Sequence, residues 1–137
     1  MYPEVLTKPM IRDLNEQGFE SLTTPEQVVD TLEDQKGTLL LVINSVCGCA
    51  AAYCRPGAIM ALGNGKKPEQ LATVFAGVDV AATAKAREYL KPYPPSSPSI
   101  ALFKDGQLVH FMERHEIEGQ PAVLISRKLQ KAFEEYC

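Results

Sequence analysis

Apolar positions recur along this chain in two rhythms, one helical and one extended, and their alternation lays out an architecture. In the opening segment Val5, Leu6, Met10, Ile11 and Leu14 fall at helical spacing, and Gly18 stands where that helix would stop. A short extended piece, FESL, follows. The stretch TTPEQVVDTLEDQKG is a marked helix start, with Thr24 as N-cap, Pro25 at the first helical position and Gln27 closing a capping box. Val28, Val29 and Leu32 face inward, and Gly37 ends the element. TLLLVINS is a continuous apolar run after a glycine, which fits a strand buried on both faces.

CAAAYCRPGAIMAL has the alanine content and length of a helix, kinked at Pro56, and GNGKKP marks its end. QLATVFAGVDV reads as a second buried strand, with Asp79 placed to cap the helix VAATAKAREYL. KPYPPSSPS carries four prolines in nine residues and is excluded from regular structure. IALFKDGQLVHFME is a hairpin turning on Asp105-Gly106. A last helix from about Gly119 to Tyr136 aligns Ala122, Ile125, Leu129, Phe133 and Tyr136. The resulting order, α, β, α, β, α, β, α, β, β, α, predicts an α/β sandwich with parallel central strands and one antiparallel edge. With no repeat or linker in view, residues 1–137 are expected to form one domain.

Composition narrows the function classes. A formal net charge of -3 gives no footprint for nucleic acid or an anionic membrane, so neither is expected as a partner. The longest apolar run falls far short of the roughly 20 residues that cross a bilayer. The start, MYPEVLTKPMIRDLNEQGF, lacks the basic and then apolar stretch of a signal peptide, so a cytoplasmic location is expected. Thiols there are kept mostly reduced, which turns the four cysteines from structural bridges into candidates for redox chemistry or metal binding.

Three of those cysteines lie in SVCGCAAAYC, at the junction between the buried strand and the next helix. In an open α/β sheet that is where a reactive group belongs. Free N–H groups of the first helical turn should point at the Cys47 sulfur and favour its thiolate, with a pKa of roughly 3.5–7.5 against about 8.5 for a free cysteine. Cys47 is therefore the candidate nucleophile, and Gly48 would let another chain's backbone come close. Cys49 could close a small, strained and labile ring with Cys47, as a resolving cysteine does, or could be a small buried residue. Cys54 lies roughly 10 Å along the helix and reads as a buried side chain, while Cys137 stands at a terminus that should fray. His110 and His115 receive no role. Ser97-Pro98 precedes the strand SIALF, where a cis bond would turn the chain into the sheet, although sequence alone does not establish one.

Together, a buried strand, a cysteine pair at the following helix start, a helix proline and a Ser-Pro before a hairpin resemble the thioredoxin-like fold. That fold implies a central mixed sheet flanked by helices, here with an extra N-terminal helix. More narrowly, SVCGCAAAYCRPGA with PSSPSIALFKDGQLVHFMERHEIEG resembles the bacilliredoxin A/B family over essentially the whole chain. The resemblance implies a cytoplasmic thiol-disulfide oxidoreductase, without a cofactor, that removes bacillithiol or a similar low-molecular-weight thiol from mixed disulfides on oxidised client proteins. Weak disulfide reductase or isomerase activity is a further implication. Cys47 then matches the attacking cysteine, Cys49 its resolving partner and Pro98 the cis-proline facing them, with Ser97 pairing its backbone to the substrate.

Two rivals remain open on the residues alone. One is a metal site built from Cys47, Cys49 and Cys54, perhaps with Cys137, since thiolates suit zinc, copper(I) and iron-sulfur clusters. The single close pair of cysteines speaks against it, and no metal is assigned. The other is a non-catalytic adaptor in which Cys47 would titrate like a free thiol.

Overall fold

All seven residues of the central strand β2 (Thr38–Asn44) are buried, and their side chains alternate between two cores. Leu40 and Val42 face one layer, and Leu39, Leu41 and Ile43 the other, as the period of two requires. The computed structural model describes residues 2–137. Its further elements are α1 (Glu4–Asn15), β1 (Glu20–Ser21), α2 (Pro25–Leu32), a π-helical turn (Ala50–Cys54) leading into α3 (Arg55–Ala61), and β3 (Gln70–Phe75). There follow α4 (Val80–Glu88), β4 (Ser99–Lys104), β5 (Gln107–Met112), α5 (Arg114–Ile117) and α6 (Ala122–Tyr136).

The five strands form one mixed sheet in the order β1-β3-β2-β4-β5. β1, β3 and β2 are mutually parallel, β4 runs antiparallel to β2, and β5 returns antiparallel to β4. The single reversed strand, β4, is therefore internal, one place in from the edge, rather than at the edge as expected. Its burial follows: Ser99 to Phe103 are enclosed. Leu14, Ile125, Leu129 and Phe133 fill the core on the face covered by α1, α3 and α6. Val28, Leu32, Ala82, Ala86 and Leu90 from α2, α4 and the residues after it fill the other.

Local departures from the expected elements have physical causes. In α1 the covered stripe runs through Thr7, Met10, Ile11 and Leu14, so Val5 and Leu6 point outward, Val5 at 84% exposure. At the start of α2 the Thr24 hydroxyl accepts from the Gln27 N–H at 3.2 Å, but the Gln27 side chain reaches one residue further back, to the Thr23 N–H at 2.7 Å. Asp79 occupies the N-cap of α4 without a side-chain capping bond; its carboxylate lines a cavity of about 90 Å³ with Thr73 and Asn44. β3 stops at Phe75 because Gly77, at φ 87°, turns the chain. α6 begins at Ala122, three residues beyond Gly119, and α5 intervenes before it.

The expected single helix after β2 is interrupted. Arg55 N–H bonds to the Ala50 carbonyl, a five-residue step, and α3 then starts with Pro56 in its first turn, where a missing donor leaves no gap in the ladder. Gly57 is the contact point between α3 and α6: a Cβ there would lie 2.6 Å from Ile125 Cγ2 and 3.2 Å from the Ala122 carbonyl oxygen. Gly57→Ala is thus expected to destabilise the fold by about 1–3 kcal/mol through overpacking, read from the denaturant midpoint.

Candidate active site

The parallel end of β2 delivers Asn44 and Ser45 to the base of the site, and the chain then turns through Val46 into the helical segment. Cys47 stands at the start of that segment: its carbonyl accepts from the N–H of Ala50 at 2.9 Å and of Ala51 at 3.4 Å. Its sulfur accepts from the N–H of Cys49 at 3.3 Å, in the manner of a capping side chain. Both sulfur-bearing residues are partly exposed, and the space beside Gly48 is open within 4 Å of where a Cβ would lie.

These contacts polarise the pair. The Cys49 N–H is the largest cause holding the Cys47 thiol below its ordinary range, with the Cys49 side chain, the Arg114 charge and the Ala50 N–H acting in the same sense. Cys49 moves the opposite way, chiefly because its S–H donates to Cys47, then through burial and the charges of Cys47 and Glu118. The arrangement shifts residue 47 toward the thiolate and residue 49 toward the thiol. Cys54 is fully buried, and burial pushes its thiol up to about 12. Among the described residues, the potential metal ligands converging within 4.8 Å are Glu113, His115 and Glu116; Cys54 does not join Cys47 and Cys49 at that range. Cys137 is exposed at the other end of the sheet, near Thr38 and Lys104.

At the end of the sheet where β2 leads to the cysteines, the Ser97-Pro98 peptide is cis and Pro98 is buried at the entrance to β4. Lys91-Pro92 in the same loop is also cis. The side chain of Arg114 joins this loop to the sulfurs. Its Nη2 lies 3.4 Å from Cys47 Sγ and 3.9 Å from Cys49 Sγ, while Nη1 donates to the Ser97 carbonyl at 3.3 Å. Its Nε donates to Glu118 Oε2 at 3.3 Å, and its backbone N–H faces Ser96 Oγ at 3.4 Å. The Ser97 carbonyl, expected from the resemblance to pair with a substrate strand, therefore already carries one donor.

Behind the cysteines lies a second arginine. Arg55 is 4% exposed; its Nη1 donates to Asn44 Oδ1 at 2.9 Å and to the Ser45 carbonyl at 3.2 Å, and its Nε to Asp13 Oδ2 at 3.3 Å. Ser45 Oγ in turn accepts from the Cys47 N–H at 3.0 Å. The network ties α1 to the cysteine loop. Neither arginine was picked out by sequence pattern. Arg114 is 67 residues from Cys47 and sits among the charges of MERHEIE; the available sign for Arg55 was a lone charge in an alanine- and cysteine-rich helix.

Comparison with known proteins places this geometry. Thioredoxin of Fasciola hepatica superposes with a TM-score of 0.58 at 20% identity, covering 87% of this chain and all of the other, which shows the fold. A family model described as disulphide isomerase matches residues 2–137. The chain is thus of the thiol-disulfide oxidoreductase class, on a thioredoxin-like fold with an added N-terminal helix.

Within that class the relatives are specific. Bacilliredoxin BH1716 of Halalkalibacterium halodurans is 53% identical over 136 residues, covering 99% of this chain and 94% of its own. A bacilliredoxin of Cytophaga hutchinsonii is 56% identical over 135 residues, covering 98% and 99%. The chain belongs to the bacilliredoxin family.

Proposed function

We propose that this protein removes bacillithiol, or a low-molecular-weight thiol like it, from mixed disulfides on oxidised client proteins, acting in the cytoplasm as one domain over residues 1–137. The Cys47 thiolate attacks the sulfur of the capping thiol. A bond forms between Cys47 and that thiol, the bond to the client breaks, and the client sulfur leaves as a thiolate that takes up a proton. Cys49 then attacks Cys47 Sγ, the internal disulfide forms, and the small thiol departs with the electron pair. Further reduced thiol returns the pair to its starting state.

The observation that carries this reading is the position of Cys47 Sγ, partly open to solvent, 3.3 Å from the Cys49 N–H and 3.4 Å from Arg114 Nη2. A sulfur so placed ionises more readily than a free thiol and is a better leaving group as well. Gly48 leaves room for the incoming chain, and Ser97 and Pro98 form the opposite wall. Relatives named bacilliredoxin support bacillithiol as the carrier; the reducing cytoplasm supplies what resets the cysteines.

The test is a client protein capped with bacillithiol, with parallel samples capped with glutathione and with cysteine, incubated with the reduced enzyme and followed by intact-mass spectrometry. Faster uncapping of the bacillithiol sample, with the same mass gained on Cys47 in a Cys49→Ser variant, is the expected result. Equal, slow release from all three samples would remove the assignment. Reduction of an ordinary protein disulfide in the same assay measures the reductase or isomerase activity.

A further inference from the structure

Arg114 is positioned between the two sulfurs in a way that a role for Cys47 alone does not require. One amino group, Nη2, faces both, at 3.4 Å from Cys47 Sγ and 3.9 Å from Cys49 Sγ. The guanidinium is held there by the Ser97 carbonyl on Nη1 and by Glu118 on Nε. It lies on α5, the short helix that follows the hairpin, 67 residues along the chain from Cys47.

We propose that Arg114 is a catalytic residue for both half-reactions, its charge stabilising first the Cys47 thiolate and then, once Cys47 is capped, the Cys49 thiolate that must attack. The inference rests on the reading of Cys49 as the resolving cysteine. In the reduced enzyme, Cys49 holds its proton because its S–H donates to Cys47 and because the Cys47 charge is beside it. Capping Cys47 as a disulfide converts that charge to a neutral sulfur. The hydrogen bond and the repulsion then both vanish, while the arginine charge remains 3.9 Å from Cys49 Sγ. Released from its first anion, it favours ionisation of the second.

The step balances without an added redox partner. Cys49 gives its proton to water and its sulfur electrons to Cys47 Sγ, one S–S bond forms, another breaks, and the small thiol leaves as the anion. Among the described residues the charged groups facing the pair are Arg114 and Glu118; the other groups acting on Cys47 are the N–H groups of Cys49 and Ala50 and the Cys49 side chain. Glu118 holds the arginine Nε, but its charge opposes that of the arginine and raises the Cys49 thiol.

That opposition gives variants of opposite sign. The probe is dithiodipyridine, an uncharged disulfide that the arginine does not attract electrostatically. It caps Cys47 and releases one equivalent of thiopyridone, and attack by Cys49 then releases a second. Stopped-flow absorbance separates the two phases across a pH series. In Arg114→Gln both phases should move to higher pH, with the second slowed about tenfold below its midpoint, the change that a one-unit movement produces. Arg114→Lys should recover part of each. Glu118→Gln should move the second phase to lower pH, which general loss of structure would not do. If the second phase keeps its wild-type profile in Arg114→Gln while the first moves, the shared role is overturned. If Cys49→Ser still releases the second equivalent at the wild-type rate, the fault lies with the resolving assignment instead.

Discussion

Cys47→Ser is expected to lower transfer of the small thiol by more than about a thousandfold, because a serine hydroxyl is not ionised at neutral pH and cannot form the mixed disulfide. Cys49→Ser is expected to fail later, taking the thiol from the client and then holding it on Cys47. Intact mass distinguishes the two: no adduct in the first, a stable one in the second. The pH dependence of alkylation supplies the sign. The Cys47 thiol is held below its ordinary range, first by the Cys49 N–H, so its reactivity should extend to lower pH than that of an ordinary thiol and disappear as the pH falls through the lowered value. Cys49→Ser retains a hydroxyl donor beside Cys47, whereas Cys49→Ala removes it. The alanine variant should therefore trap the same adduct but move the alkylation profile to higher pH. An adaptor with an incidental Cys47 would instead show an ordinary thiol profile in all three proteins.

The same polarisation links the site to stability. Because the folded-state value is depressed, the contribution of the Cys47 thiolate is fully present above the unfolded value and is lost as pH falls through the folded one. Capping the sulfur also forfeits it. The reduced state is favoured by the loss, which makes the capped enzyme ready to release what it carries.

What could be read in the sequence was what depends on neighbours along the chain. The five consecutive apolar residues of β2, Leu39 to Ile43, need cover on both faces whatever covers them, and the Asp105-Gly106 turn is set by its own positive φ values of 50° and 81°. Cys47 at a strand-to-helix junction is likewise local. The inward face of α1 differs from its apolar spacing because Thr7, a polar residue, takes a buried place by sending its hydroxyl toward the Pro3 carbonyl at 3.5 Å. The π turn was invisible for a different reason: alanines fit either helix, and nothing in AAAYC marks the five-residue step from Ala50 to Arg55. Arg114 and Arg55 reach the cysteine loop only after distant segments have folded together, and a charge in a run of charges bears no mark of its destination.

Arg55→Ala is expected to cost about 2–4 kcal/mol, the second large effect, and to disturb the cysteines without touching them. The guanidinium fork meets three acceptors, Asn44 Oδ1, the Ser45 carbonyl and Asp13 Oδ2, at the C-terminal end of β2. Asp13 is 57% exposed, so its own replacement, Asp13→Asn, should cost less than about 1 kcal/mol, water taking the place of the ion pair. The loss in Arg55→Ala therefore comes from the buried acceptors and the space left among α1, β2 and α3. Lysine has no planar fork and cannot meet these acceptors together, so Arg55→Lys should lie between the two. Denaturant midpoints give the order. The functional consequence follows from Ser45, whose carbonyl is bonded to Arg55 and whose hydroxyl accepts from the Cys47 N–H at 3.0 Å. With that residue loosened, the Cys49 N–H no longer meets the sulfur in a fixed geometry, and the Cys47 alkylation profile should broaden toward that of a free thiol under conditions where the variant remains folded. Equal destabilisation by Asp13→Asn and Arg55→Ala would show that the exposed ion pair, rather than the strap to Ser45, carries the stability.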